Sequence, residues 1–166
     1  PVVTLDNSKS TKEQILNWWK KVEQRSLELS LEYSHVRLTD VSNCYPSIYS
    51  HAIGWALHGR DFLKIKANRF NKSLFGNQLD VAIRSSREGQ TNGIPQASLL
   101  SHLLAELILG YCDTFIDEAL KGNCNVKILR YRDDYRIFGY SDTDCQRALK
   151  TISEKLHPAF PKWRVV

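Results

Sequence analysis

The feature that most constrains the fold is the stretch NVKILRYRDDYRIFGY, residues 125–140. Two segments rich in β-branched and aromatic residues flank a short polar tip, which is the pattern of a β-hairpin. The tip holds two adjacent aspartates, Asp133 and Asp134. Aspartate is a poor strand residue and neighbouring carboxylates repel each other, so the arrangement needs a compensating role. The sequence therefore predicts a hairpin that displays two carboxylates at its turn.

A second predicted strand supplies a third carboxylate. The segment HVRLTDV, residues 35–41, alternates at period 2, with Val36, Leu38 and Asp40 on one face. We expect this strand to end on an inward-facing aspartate beside the hairpin. Three converging carboxylates would bind two Mg²⁺ ions, which prefer oxygen ligands together with substrate phosphates. Two such ions, about 3.5–4 Å apart, can activate an attacking hydroxyl and stabilise a leaving phosphate.

A purely structural interpretation of the hairpin tip stays open. In it the aspartates pair with the neighbouring arginines, Arg130, Arg132 or Arg136, and the tip is a polar turn. The two interpretations differ in their electrostatics. Three clustered carboxylates without a metal repel, so the first predicts that at least one binds its proton more tightly than a free aspartate.

The rest of the chain predicts helices around this sheet. Residues 98–120 form a long, strongly apolar segment that we expect to be buried on most sides. The order of elements predicts an α+β fold, with a small antiparallel sheet and helices packed on one face. The remaining predicted helices cover residues 8–29, 43–59, 78–88 and 142–157, and residues 60–77 are expected to be irregular.

Composition narrows the class of protein. The length of 166 residues fits one domain, and 42% hydrophobic with 25% charged residues is ordinary for a globular protein. No secretory signal or membrane-length apolar run is recognised, and the four cysteines form no C-x-x-C pair, so we expect a cytoplasmic protein without a membrane partner. The net charge of +5 favours a polyanionic partner. The lack of methionine and the initial proline suggest a piece of a longer protein.

Three segments, in order, resemble the motifs of the reverse-transcriptase palm. LTDVSNCYPSIY, residues 38–49, resembles motif A, and GQTNGIPQAS, residues 89–98, before a long helix resembles motif B. YRDD, residues 131–134, resembles motif C, the Y-x-D-D box. The residues in and around these motifs are most similar to those of bacterial reverse transcriptases of the abortive-infection and phage-defence groups. The resemblance implies a nucleotidyltransferase, an RNA-directed DNA polymerase, with a context of antiviral defence.

The resemblance assigns roles to the metal and sugar residues. Asp40 and Asp133 would be the principal catalytic metal ligands, with Asp134 completing the cluster and the backbone carbonyl of Val41 as a further ligand. The metal would be Mg²⁺, with Mn²⁺ as an alternative. Tyr45 would lie under the incoming sugar, where a rigid ring can exclude the 2′-hydroxyl that separates ribo- from deoxynucleotides.

The resemblance also assigns nucleotide-binding residues and exposes two departures. Pro95, Gln96 and Ala97 would contact the nucleotide and the template strand. Ala97 stands where motif B usually has glycine, which adds a methyl group at a close approach. Arg132 stands where the box usually has a small or apolar residue. It would contact the primer-terminal phosphate or simply neutralise Asp134, and both interpretations stay open.

Nucleic-acid contacts are expected in the basic stretch. Residues 60–72 hold five cations and one carboxylate, five minus one or +4, with interleaved phenylalanines. Lys64, Lys66 and Arg69 are the candidate contacts, and an ordinary solvated loop is the alternative. His51, which shares a helical face with a second histidine, is interpreted as a packing or surface residue. The expected partners are an RNA template, a DNA primer or product, and deoxynucleoside triphosphates.

The resemblance divides the chain into three parts. Residues 1–32 are a helical segment leading into the palm, residues 33–141 are the palm, and residues 142–166 are a C-terminal helix and the end of the palm. The family's fingers strands and thumb have no counterpart here, so missing segments or a partner subunit are expected, and the isolated fragment is expected to be inactive if they are required. The alternatives are a template-independent DNA polymerase, an RNA-dependent RNA polymerase, or an inactive nucleic-acid-binding palm.

Overall fold

The structure is a computed structural model that describes residues 11–96, 98–122 and 125–161. In these residues the chain forms an α+β fold with eight helices and one three-stranded sheet. The helices are α1 (Thr11–Glu32), α2 (Cys44–Ser47), α3 (Ala52–His58), α4 (Arg60–Lys64), α5 (Lys66–Arg69), α6 (Phe75–Ser85), α7 (Leu99–Leu120) and α8 (Asp142–Leu156), and the strands are β1 (His35–Asp40), β2 (Val126–Tyr131) and β3 (Asp134–Gly139).

The sheet is antiparallel throughout, in the order β1-β3-β2. The hairpin strand β3 is central, and it pairs with β1 from His35 opposite Gly139 to Asp40 opposite Asp134. Its pairing with β2 ends at Tyr131 opposite Asp134, so the hairpin turn has only two residues. Both strand pairings therefore end at the same edge of the sheet, next to the predicted carboxylates.

One face of the sheet carries the main hydrophobic core. Tyr135 and Ile137 of β3 point to this face and are almost completely buried. They belong to one apolar cluster with residues of α7 and α8, including Ile108, Cys112 and Ile152. A buried tyrosine or isoleucine side chain of this kind contributes about 1.5–3 kcal/mol to stability, so this contact fixes the sheet on the two long helices.

The opposite face is covered by α1, so the prediction that helices pack on one face only is wrong. Leu29 of α1 and Tyr33, the residue that follows this helix, form a second buried cluster with Phe138, packed against Leu129. The physical reason is that β2 and β3 carry apolar residues at successive positions, which point to opposite faces. Both faces of the hairpin therefore need cover.

The outer strand β1 is not covered by α1. Val36 is 51% exposed and Leu38 is 70% exposed, and Asp40, on the same face, is exposed too. The prediction of an inward-facing Asp40 is therefore wrong. Alternation identified the face, but α1 lies over the two hairpin strands and leaves this side of β1 open.

The segment between the first strand and α6 differs from its prediction. The expected helix over residues 43–59 is interrupted between α2 and α3, because Ile48 is extended (ψ 128). The backbone N–H of Tyr49 donates to Ala159 O (2.7 Å), and that of Ser50 donates to Thr91 O (2.8 Å). These long-range bonds replace helical ones. Residues 60–77, expected to be irregular, contain the two short helices α4 and α5 and the beginning of α6.

The apolar helix α7 is less enclosed than predicted. Its middle residues Ile108 and Leu109 are buried, but Leu99 is 87% exposed and Leu103 is 66% exposed. By length and composition α7 is the one helix of the described residues that could cross a membrane, a property that core helices share. Its contacts with α3 and α8 are those of a core helix.

Candidate active site

The three predicted aspartates meet at one end of the sheet. Asp40 and Asp134 are direct partners across β1 and β3, so their side chains project from the same face. The backbone continues this contact, because the N–H of Val41 donates to the carbonyl of Asp133 at 3.0 Å. We call Asp40, Asp133 and Asp134 the carboxylate cluster. The pairing explains why residues so distant in sequence come together.

The hairpin turn separates the two adjacent aspartates. Arg132 and Asp133 are the two turn residues, and Arg132 has a φ of 56. Two-residue hairpin turns require a positive φ at their first central position, where glycine or asparagine is usual. Asp134 is the first residue of β3, whereas Asp133 lies in the turn. The two adjacent aspartates therefore have different backbone environments.

The cluster is electrostatically unfavourable on its own. Burial, followed by the neighbouring charges of Asp133 and Asp40, raises the pKa of Asp134 above its ordinary value, with Arg136 opposing the shift. The prediction that one carboxylate binds its proton more tightly is thus confirmed. The described residues contain no group of three or more His, Cys, Asp or Glu side chains arranged to hold a metal ion.

The neighbouring arginines are engaged elsewhere. Arg130 donates to Asp113 (2.7 Å) and to Glu106 (2.9 Å), both on α7. Arg136 pairs with Glu23 of α1 at 2.5 Å. Among the residues that the structure describes, no salt bridge joins an arginine or lysine to either hairpin aspartate. The turn is therefore not neutralised in the way the purely structural interpretation predicts.

Arg132 does not form a salt bridge to Asp134 in this part of the chain. Its guanidinium lies 5.9 Å from the ring centre of Tyr131, and its side chain is exposed. Its backbone carbonyl accepts a hydrogen bond from Arg130 Nη1 at 2.8 Å. The exposed guanidinium is thus held near the tip, while its carbonyl helps to fix the turn.

Arg130 connects the hairpin tip to α7. Burial lowers its pKa, and the Asp113 and Glu106 carboxylates raise it by more, so it stays charged. The hydroxyl of Tyr135 also donates to Asp113, at 3.1 Å. A shared, partly buried network of this kind restricts motion better than one exposed ion pair does. This network fixes the position of the hairpin tip relative to α7.

Tyr45 is fixed at both ends. Its hydroxyl is 2.5 Å from Nδ1 of His102, on α7, and the two rings meet edge to face at 5.6 Å. Its backbone carbonyl accepts from the N–H of Ile94 at 2.9 Å. Burial, more than neighbouring charge, raises the pKa of the phenol. The ring is half-buried and cannot swing freely.

The loop that resembles motif B lies against α2. Gly93 donates its N–H to the carbonyl of Ile48 at 2.7 Å and has a φ of 91. A Cβ there would lie 3.1 Å from the carbonyl of Pro46, so only glycine fits without a shift. Pro95 and Gln96 directly follow Ile94, whose N–H donates to the Tyr45 carbonyl. Ala97 lies outside the described residues.

The basic residues form a separate surface. Lys64 lies on α4, and Lys66 and Arg69 lie on α5, all exposed. None of them is close enough to form a salt bridge with the carboxylate cluster in the described structure. Lys64 instead pairs with Asp61 at 2.8 Å.

Sequence reasoning missed the support that α7 provides. His102, Glu106 and Asp113 are polar residues on an otherwise apolar helix, spaced four and seven apart. Such spacing puts them on one side of a helix, which was a readable signal. Their partners could not be read, because each partner lies on a distant segment.

Comparisons with known proteins assign no family. No protein-family profile matches the chain, and no curated protein matches it. Interpretation of the site therefore depends on its geometry and on the resemblance of three short motifs.

Proposed function

We propose that this chain is the catalytic palm of an RNA-directed DNA polymerase that extends DNA by two-metal nucleotidyl transfer. The observation that carries the proposal is the pairing of Asp40 with Asp134 beside the turn residue Asp133. The nearby Arg130 and Arg136 are committed to other carboxylates. In the described residues no salt bridge joins an arginine or lysine to Asp133 or Asp134, and carboxylate charge of this kind attracts cations.

The donor set suits Mg²⁺. All available donors are oxygens, and Mg²⁺ is usually held by one or two carboxylates plus substrate phosphates instead of a complete protein cage. Asp40 and Asp133 would hold the metal, with Asp134 and the Val41 carbonyl nearby, and Mn²⁺ takes the same donors. When bound, the ions would activate the primer hydroxyl and stabilise the leaving phosphate.

Tyr45 would select the sugar. Its ring is held by His102 at the hydroxyl and by Ile94 at the backbone, so it has a fixed position. Steric exclusion of a 2′-hydroxyl needs such rigidity, because a mobile ring would yield to the extra oxygen. Pro95 and Gln96 would contact the nucleotide and the template from the adjoining loop.

The substrates and partners follow from the resemblance. They are an RNA template, a DNA primer and deoxynucleoside triphosphates, used in the cytoplasm in defence against phage. Arg132, exposed at the tip, would contact the primer-terminal phosphate, a role supported by its exposure beside the carboxylate cluster. Fingers and thumb elements would come from further segments or from a partner subunit.

The test is primer extension by the full-length protein in Mg²⁺, repeated in Mn²⁺. The reactions contain an RNA template or none, and deoxy- or ribonucleoside triphosphates. Template-dependent DNA product supports the proposal. Deoxynucleotide addition without a template would indicate the template-independent polymerase, and RNA product alone would indicate an RNA-dependent RNA polymerase. Nucleic-acid binding without any product would indicate an inactive palm and overturn the proposal.

A further inference from the structure

A second concave site lies away from the carboxylate cluster. A cavity of about 1000 Å³ opens between α3, the α4–α5 segment and α6, and none of the three clustered aspartates lines it. We call it the basic cavity. Its charged lining consists of five cations and one carboxylate, five minus one or +4 with histidine neutral: Arg60, Lys64, Arg69, Lys72, Arg84 and Asp80.

The one carboxylate of the lining is already neutralised. Asp80 is only 5% exposed, and it accepts from His51 Nδ1 at 2.7 Å and from Arg84 Nε at 3.2 Å. Burial would raise the pKa of Asp80, but the hydrogen bond from His51 and the charge of Arg84 lower it, so it stays ionised. It therefore orients His51 and Arg84 instead of repelling an anion. His51, interpreted from the sequence as a packing or surface residue, lines this cavity.

Three cations of the lining have no carboxylate partner in the described structure. Lys64 pairs with Asp61, but no salt bridge involves Arg60, Arg69 or Lys72. Two of the three lie over aromatic rings. The Arg60 guanidinium is 4.9 Å from the ring centre of Trp55, and that of Arg69 is 5.5 Å from Phe70. Cationic side chains that can bind a phosphate therefore lie next to aromatic rings on which a nucleotide base can stack.

The rim of the cavity is held in place by α6. The side-chain amide of Asn77 donates to the carbonyls of Asn68 and Asn71, both at 2.9 Å. The amide of Gln78 donates to the carbonyl of Lys72 at 2.9 Å. These bonds fix the backbone that carries Phe70, whose ring is 69% exposed. Preorganised cations and an exposed ring reduce the entropy lost on binding.

We propose that the basic cavity binds a nucleotide unit, with the phosphate against Arg60 and Lys72 and the base against Phe70. Stacking on aromatic residues, combined with arginine and lysine along the backbone, is how single-stranded nucleic acid is held without sequence preference. The site is separate from the carboxylate cluster and does not rest on the polymerase proposal. A free nucleotide and a nucleotide within a single strand present the same chemistry, and the experiment distinguishes them.

The test is fluorescence anisotropy with the full-length protein in EDTA, which removes any metal. The probes are a labelled 12-nucleotide oligothymidine and a labelled adenosine triphosphate, each titrated at two salt concentrations. Tight binding of the oligonucleotide alone identifies the strand as the ligand, and equal binding of both identifies the free nucleotide. Binding of neither probe would overturn the proposal.

Lys155 of α8 provides the control. It is exposed and does not line the cavity. Lys72→Ala should weaken binding by about 5-fold and reduce the salt slope by about 0.7, the value for one phosphate contact on a single strand. Lys155→Ala should change affinity by less than about 2-fold. Equal loss from both variants would show that the whole basic surface binds without a defined site, and would overturn the proposal.

The base contact has its own control. Phe70→Ala should weaken oligonucleotide binding by about 5-fold or more without changing the salt slope, since stacking is not ionic. Phe75→Ala removes another exposed ring that does not line the cavity and should have no effect. Competition by polyglutamate as strong as that by oligonucleotide would show that charge alone is recognised, which would also overturn the nucleotide assignment.

Discussion

The carboxylate cluster and the basic cavity are built in the same way with opposite charges. At the cluster, Arg130 and Arg136 are bound to carboxylates on α7 and α1, so the hairpin aspartates keep their negative charge. At the cavity, Asp80 is bound by His51 and Arg84, so the lining keeps its positive charge. In each region the counter-charge is used within the protein. The comparison shows that the net charge that a site offers to a ligand depends on which of its ionic side chains are already paired within the protein.

The largest expected effect is on catalysis. Asp133→Asn should reduce nucleotidyl transfer at least about a thousand-fold, because loss of a metal ligand removes several kcal/mol of transition-state stabilisation. The measurement is single-nucleotide primer extension by the full-length protein. Asp117→Asn, an exposed aspartate of α7, is the control and should keep full activity. A variant at position 133 that stays active, or one that unfolds, would return the hairpin tip to a structural role.

The next effect is on stability. Arg130→Met should lower the free energy of unfolding by about 2–4 kcal/mol, because it leaves Asp113 and Glu106 facing each other without their cation. The measurement is urea unfolding followed by circular dichroism. Arg25→Met breaks an exposed pair with Glu28 and should cost less than about 1 kcal/mol. Equal losses would mean that the Arg130 network does not fix the hairpin.

Sugar choice should depend on the Tyr45 ring more than on its hydroxyl. Tyr45→Val should raise the kcat/KM for ribonucleotides relative to deoxynucleotides by roughly 10-fold or more. Tyr45→Phe loses the bond to His102 and should cost about 1 kcal/mol of stability while keeping the preference. Both values come from extension with each sugar in turn and from thermal unfolding. If Tyr45→Val slows both sugars equally and lowers the Tm, the ring is only a packing residue.

The smallest effect concerns pH. Folding raises the pKa of Asp134, so this residue contributes favourably to the free energy of unfolding at pH values below the ordinary aspartate pKa. That contribution is lost as the pH rises through the raised pKa. At pH 7 without metal, Asp134→Asn should therefore stabilise the protein, by no more than about 1 kcal/mol because exposed charges are screened. The gain should shrink at pH 4. The measurement is Tm in EDTA at both pH values, and a destabilised variant at pH 7 would contradict the repulsion.

Local patterns predicted the elements that surround the site. The hairpin strands were predicted over residues 125–131 and 135–140, and the structure has them at Val126–Tyr131 and Asp134–Gly139. The long apolar helix and the last helix also agree within about one residue. These segments have strong periodicity and clear turn residues, which act over short distances. The prediction for residues 43–59 was wrong because distant carbonyls, those of Thr91 and Ala159, draw the backbone out of the helix.

The sequence by itself determined that three aspartates, a tyrosine and a glycine-containing loop occur in an order that resembles one family of motifs. Only the tertiary structure decided which charges remain available. The pairs between Arg130 and α7, between Arg136 and Glu23, and between His51 and Asp80 join segments far apart in the chain. Periodicity reports which face a side chain takes but carries no information about the partner it meets. The charge of a site depends on those partners, and so it appears only when the helices have packed on the sheet.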